Sequence, residues 1–162
     1  PAADTGRIDD LRLGEAILLG RETLHRRPVA GLRTDAASLV TEVIESKEKP
    51  SDPVGRIAQT AFGWAGPQPV PAAPGARTIV AIGHQDADPA GLDPPSGVRI
   101  LGASSDHLVV ATSQILAAGT ELRFGVDYSA LLRAMTSPFV AHEMLHVHHG
   151  GERPPVRGDA LS

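Results

Sequence analysis

At 162 residues, with a net charge of -4 and a pI near 6.0, the chain can form one domain with a sizeable core and has no general attraction for nucleic acid or anionic membranes. Its basic residues are scattered rather than striped, no run of about 18 apolar residues exists, and the start PAADTGRIDD lacks the basic-then-apolar layout of a signal peptide, so neither a nucleic acid nor a membrane is expected as a partner. The absence of cysteine excludes a disulfide framework and thiolate metal sites and suits a reducing cytoplasm.

The chain begins at Pro1 rather than at a methionine, consistent with a processed or truncated left edge. Ala16-Ile17-Leu18-Leu19 is a short continuous apolar run closed by Gly20, the pattern of a strand buried on both faces. GRETLHRRPV then gives about two polar turns, ended by Pro28. From Ala37 to Lys47, Leu39, Val43 and Ile44 mix with Thr41, Glu42 and Glu45; the β-branched content favours a half-exposed strand, with a helix left open as the alternative. Pro50 to Pro74 is rich in proline and glycine, holds the only tryptophan, Trp64, and reads as a loop wrapping the domain. Arg77 to Ile82, Val98 to Leu101, Leu108 to Thr112 and Glu121 to Phe124 read as four further strands separated by turn signals. Asp127 to Met135 reads as a short helix that packs Leu131, Leu132 and Met135 on one face. Ser137-Pro138 is an N-cap and first-turn pair for a second helix running into HEMLHVHH, and the tail GGERPPVRGDALS is expected to be disordered. The fold class is therefore mainly β (α+β), with short C-terminal helices.

Three segments carry candidate chemistry. In Arg12-Leu13-Gly14-Glu15, backbone N–H groups beside a glycine can hold a phosphate and the arginine can donate to a ring nitrogen; the same residues also read as a surface arginine before an ordinary strand. Gly83-His84-Gln85-Asp86 follows a β run, where an imidazole suits acid/base work near neutral pH; the alternative is a turn in which Asp86 and Asp88 bond nearby backbone. Gly102-Ala103-Ser104-Ser105-Asp106-His107 lies between two apolar strands and can aim N–H and O–H donors at a carboxylate, or can be a polar hairpin.

Five segments in fixed order, LRLGEAILLG (Leu11 to Gly20), TEVIESKEKPS (Thr41 to Ser51), AIGHQD (Ala81 to Asp86), ILGASSDHLVV (Ile100 to Val110) and YSALLRAMTSPF (Tyr128 to Phe139), resemble the C-terminal part of the alanine/ornithine racemase family, fold-type III enzymes that use pyridoxal phosphate. The resemblance implies an alanine-racemase-like C-terminal β domain at residues 31–140, preceded at 1–30 by a remnant of the last strand of a TIM barrel and its following turn, and followed at 141–162 by a His-rich helical extension and tail. It implies Arg12 as partner of the cofactor's pyridine nitrogen and Gly14, Glu15 and Ala16 as phosphate-binding backbone. A permanently cationic guanidinium there disfavours protonation of the ring and limits side reactions of a carbanion. It further implies Ser104, Ser105, Asp106 and His107 as substrate-binding positions, and His84 as the catalytic acid/base where family members carry a tyrosine.

The family's cofactor lysine belongs to the first barrel strand, whereas this chain has only Lys47 and Lys49, in a charged stretch before Pro50. The resemblance thus implies a portion of a racemase acting on alanine, ornithine or a related amino acid, inactive alone. Its expected partner is a second copy in a homodimer or a complementing N-terminal barrel polypeptide. A competing motif is His142-Glu143-Met144-Leu145-His146, whose HExxH spacing on a helix would set His142 and His146 on one face to bind zinc, with Glu143 as base and His148, His149 or Glu152 as third ligand. A zinc-dependent hydrolase and a non-catalytic β binding domain are the alternatives.

Overall fold

The computed structural model describes residue 6, residues 12–49 and residues 75–145. The loop expected at 50–74 and the tail beyond 145 lie outside these residues. The chain divides into two compact units, Pro1–Ala37 and Ser38–Ser162.

In the first unit the expected strand at Ala16–Leu19 is instead a five-residue helix, α1 (Glu15–Leu19), and only Leu19 of its apolar residues is buried, with Ile17 and Leu18 about half exposed. A four-residue apolar run is too short for periodicity to separate strand from helix. The boundaries decide it: Gly14 caps the start and Gly20 ends the helix in the left-handed region at φ 64°. A Cβ at Gly20 would also collide with the Arg33 carbonyl, so the turn admits only glycine. The polar stretch after it closes on itself. Arg21 bridges Pro28, and the Glu22 carboxylate accepts the N–H groups of Leu24, His25 and Arg27, which hold its carboxyl below the usual range, the His25 bond foremost.

The second unit is mainly β, a six-stranded antiparallel sheet curled into a half-barrel. Its strands are β1 (Ser38–Glu48), β2 (Ala76–Val80), β3 (Leu92–Asp93), β4 (Val98–Ala103), β5 (Leu108–Thr112) and β6 (Glu121–Val126), in the order β3-β6-β1-β2-β5-β4. The five longer strands fall where alternation and β-branched content place them; the two-residue β3 gives no pattern to read. The eleven-residue β1 is the hub. Its first half pairs β6 (Leu39 opposite Phe124), its second half pairs β2 (Ser46 opposite Thr78), and a bulge between Val43 and Glu45 bends it where it changes partner. Period-two alternation sends Leu39, Thr41 and Val43 inward, and register stacks them with Val80, Leu108, Val110, Leu122 and Phe124 into one core. Phe124, Val80 and Val110 are fully buried, each contributing roughly 1.5–3 kcal/mol by burial.

A chain of hydroxyls crosses this core. Ser46 Oγ lies 2.7 Å from Thr78 Oγ1, which lies 2.9 Å from Thr112 Oγ1, which donates to the Gln114 carbonyl at 2.8 Å. Because Thr112 spends its hydrogen on that carbonyl, Thr78 must donate to Thr112 and Ser46 to Thr78. The Leu116 N–H then donates to Ser46 at 3.1 Å, giving the chain one direction throughout.

The sheet is closed by α2 (Tyr128–Thr136), one residue off the expected span, with Asp127 as N-cap accepting the Ala130 N–H at 2.9 Å. The expected packing face is corrected in part: Ala130 and Ala134 face the core and Leu131 is half-buried, while Leu132 and Met135 are each more than half exposed. The alanines let the helix backbone approach the sheet closely. The second expected helix is also corrected. Ser137 ends α2, its N–H donating to the Arg133 carbonyl, and residues 138–145 carry no helix. Pro138 disfavours the α region for Ser137, so the pair acts here as a stop. No described helix is long and apolar enough to cross a membrane.

Candidate functional site

Two segments nominated separately, 83–86 and 104–107, form one surface. Val80 of β2 pairs with Leu108 of β5, and Leu108 pairs with Ala103 of β4, so the exit of β2 and the β4–β5 turn share one end of the sheet. The His84 N–H donates to the Ser104 carbonyl at 2.9 Å and the Gln85 N–H to the Ser105 carbonyl at 3.0 Å. Gly83 makes this approach feasible: a Cβ there would meet the Ser105 carbonyl oxygen, the His107 nitrogen at 2.5 Å and the Asp106 carbonyl carbon at 2.6 Å, all of them backbone.

Within the turn, the Ser104 N–H donates to the His107 carbonyl at 2.8 Å, and the His107 N–H returns to Ser104 Oγ at 3.0 Å. Ser105 Oγ donates to Asp106 Oδ2 at 2.8 Å. The turn is internally tied, while the side chains of Ser104 to His107 stay exposed and His84 is half-buried. The two segments together present a carboxylate and two imidazoles, while both turn hydroxyls donate within the turn, Ser104 Oγ to the His107 carbonyl at 3.3 Å and Ser105 Oγ to Asp106.

Behind the surface stands α2. Arg133 Nη1 donates to the His84 carbonyl at 2.7 Å, Ser137 Oγ to the buried Asp86 Oδ1 at 2.7 Å, and Ser129 Oγ to Asp88 Oδ2 at 2.6 Å. The Ser129 bond leads in holding the Asp88 carboxyl below its usual range, with smaller contributions from the Ala90 N–H and the charges of Arg133 and His84 outweighing desolvation. Sequence reasoning missed Ser129, Arg133 and Ser137. The available signal was their fourfold spacing, which puts one polar group per turn on the same face.

Arg12, Gly14, Glu15 and Ala16 all belong to the first unit, at and before the start of α1. The N–H groups of Ile17 and Leu18 donate to the Gly14 carbonyl at 3.1 Å, whereas those of Glu15 and Ala16 fall at positions with no intrahelical acceptor. Among the described residues no side chain caps this helix and a Cβ at Gly14 would meet nothing within 4 Å, and the Glu15 carboxylate is paired with Arg26. An open backbone with two donors and a nearby arginine fits the phosphate and ring ends of the implied cofactor. The lysines do not fit its aldehyde. Lys47 and Lys49 are exposed at the end of β1 and both bind Glu45, at 3.0 and 3.1 Å, Lys47 being the leading cause of that carboxyl's lowered pKa.

The zinc alternative gains no support among the described residues. The described part of the motif, His142 to Leu145, is not helical, so the shared face that HExxH needs does not form there, and His146 lies outside the described residues. His142 Nε2 sits instead 3.2 Å from the Ala134 carbonyl. Among the described residues no three metal-ligating side chains are grouped to hold an ion.

No family model and no solved structure matches the chain. Two curated proteins do: an ornithine racemase of Acetoanaerobium sticklandii, 41% identical over 142 residues (85% of this chain, 40% of that protein), and a lysine racemase of Thermotoga maritima, 43% identical over 136 residues (82% of this chain, 38% of that protein). The chain therefore belongs to the alanine/ornithine racemase family, and it spans about two-fifths of the length of the curated relatives it matches.

Proposed function

We propose that this chain is the C-terminal β portion of a pyridoxal-phosphate-dependent amino-acid racemase. The observation that carries the reading is identity above 40% to an ornithine and a lysine racemase over more than four-fifths of the chain. Those names make ornithine and lysine the first substrates to test, with alanine beside them. Bound cofactor would supply an electron sink for the negative charge left at the α-carbon.

The chain's residues would do the rest of its share. Arg12 would hold the pyridine nitrogen and disfavour its protonation, and the backbone of Gly14 to Ala16 would hold the phosphate. Ser104 to His107 orient the substrate. His84 accepts or returns the α-proton on one face, a role supported by its half-buried place beside that turn. The amine that anchors the cofactor comes from the remainder of the racemase, contributed by the same enzyme's barrel or by a separate polypeptide, and the working form is a cytoplasmic homodimer.

The test mixes this chain with the N-terminal portion of the ornithine racemase relative and pyridoxal phosphate, then follows cofactor absorbance and chiral chromatography of ornithine, lysine and alanine. Racemisation by the mixture and by neither part alone is the expected result, with His84→Gln lowering the rate about 100-fold or more. A mixture that binds cofactor yet racemises none of the three, or a His84→Gln variant as fast as the parent, overturns the respective assignment.

A further inference from the structure

Three side chains spaced four residues apart, two on α2 and the third at its C-cap, each take a different hold on the segment that carries His84. Ser129 binds Asp88, Arg133 binds the His84 carbonyl itself, and Ser137 binds Asp86, all between 2.6 and 2.7 Å. The geometry points to α2 as a splint whose Ser129, Arg133 and Ser137 are positioning residues for His84, an inference that rests on the acid/base reading of that residue.

The bonds differ in kind, and together they fix more than any one could. The Ser137–Asp86 pair is buried and anchors the segment from below. The Ser129–Asp88 pair fixes it two residues further along, where Asp88 also caps the 3-10 turn Pro89–Gly91 through the Ala90 N–H. Arg133, between Ser129 and Ser137 on the helix side, grips ahead of both anchors, at the backbone of the residue whose side chain is to act. On the other flank the Ser104 and Ser105 carbonyls hold the N–H groups of His84 and Gln85. Residue 84 is therefore tied at both its N–H and its carbonyl, to two different elements. A proton-transfer group must be held near its target, and a misplacement of about 1 Å can cost about 100-fold in rate.

The test has two readouts on the same variants, Arg133→Met, Arg133→Lys and Ser129→Ala. The first is amide order from NMR relaxation over residues 84–88 of this chain. The parent should be as ordered there as in β2, Arg133→Met and Ser129→Ala should both loosen the segment, and Arg133→Lys should restore it in part. Unchanged order in both loosening variants overturns the splint, whatever the enzyme does. The second is racemisation by the chain assembled with its barrel partner: Arg133→Met should lower kcat about tenfold with KM within about twofold, and Arg133→Lys should recover most of the loss. A segment that loosens while kcat stays unchanged overturns the positioning role. If His84→Gln in that assembly is without effect, the acid/base reading has failed instead, and the relaxation data still decide the splint.

Discussion

Gly83→Ala provides a direct test of whether the two nominated segments are joined. The position has no unusual φ, so the substitution meets no backbone strain; the obstacle is the Ser105 carbonyl, the His107 nitrogen and the Asp106 carbonyl carbon, none of which can swing aside as a side-chain end would. To admit a methyl, the 83–86 segment and the β4–β5 turn must separate, and the two hydrogen bonds between them, at 2.9 and 3.0 Å, lengthen or break. At about 0.5–1.5 kcal/mol net for each bond, the loss is about 1–3 kcal/mol. For a domain of this size that corresponds to about 4 °C of melting temperature per kcal/mol. Gly102→Ala is the matched control. It lies in β4 with nothing within 4 Å of an added Cβ, so it should be neutral or stabilise by about 0.4–1 kcal/mol through the unfolded chain. Urea unfolding of parent and both variants measures the difference. Equal stabilities for the two alanine variants, or a Gly83→Ala loss under about 0.5 kcal/mol, would refute the close approach.

The hydroxyl chain predicts opposite signs for one chemical change. Thr78→Val removes the central link of Ser46–Thr78–Thr112 and should destabilise by about 1–3 kcal/mol, whereas Thr41→Val removes a buried hydroxyl with no partner among the described residues and should stabilise by about 1 kcal/mol; denaturant midpoints decide both. On α2, Ala134→Leu should overpack the sheet side at about 1–3 kcal/mol while Leu132→Glu stays within about 0.5 kcal/mol of the parent, and the reverse order in a melting comparison would mean the helix faces the other way. Asp88 has its folded pKa lowered, so its contribution is fully present above the unfolded carboxylate value of about 4 and is lost as pH falls through the lower folded value. Ser129→Ala, which removes the leading cause, should make the acid limb of the stability profile shallower, and an unchanged limb would discount the pair.

Legibility in the sequence followed distance along the chain. β1 could be read, against a helix, from its β-branched content within one segment, and α2 from the helical spacing of its apolar residues, although Asp127 proves to be its N-cap rather than its first residue. α1 was read as a strand because four apolar residues look alike in either state; the deciding flanks, Gly14 and Gly20, are single glycines that a strand tolerates too. Ser137-Pro138 fits both the end of one helix and the start of the next, and local chemistry does not separate them. The His84 segment and the Ser104 to His107 turn could each be nominated locally. Their union depends on the order β2-β5-β4, and the hydroxyl chain on the register of β1, β2 and β5, neither of which is written in any one segment.

The misread face of α2 has a cause that ties fold to site. Hydropathy ranks Leu132 and Met135 as the core side because it scores how strongly a side chain leaves water and ignores how near the helix must come. Short side chains at 129 and 137 can reach Asp88 and Asp86 only if the backbone of α2 lies close above the 84–88 segment. Large residues on that side would prop the helix away, so the buried positions are Ala130, Ala134 and, at the C-cap, Ser137, while the exposed Ser129 and Arg133 reach Asp88 and the His84 carbonyl from the flank. The leucine and methionine are left to face outward as a consequence. A helix placed to hold a loop thus carries small residues inside, its gripping polar residues on the flank, and Leu132 and Met135 outside. Alanine in place of large apolar residues on the inner face is the trace that the support of His84 leaves on the composition of α2.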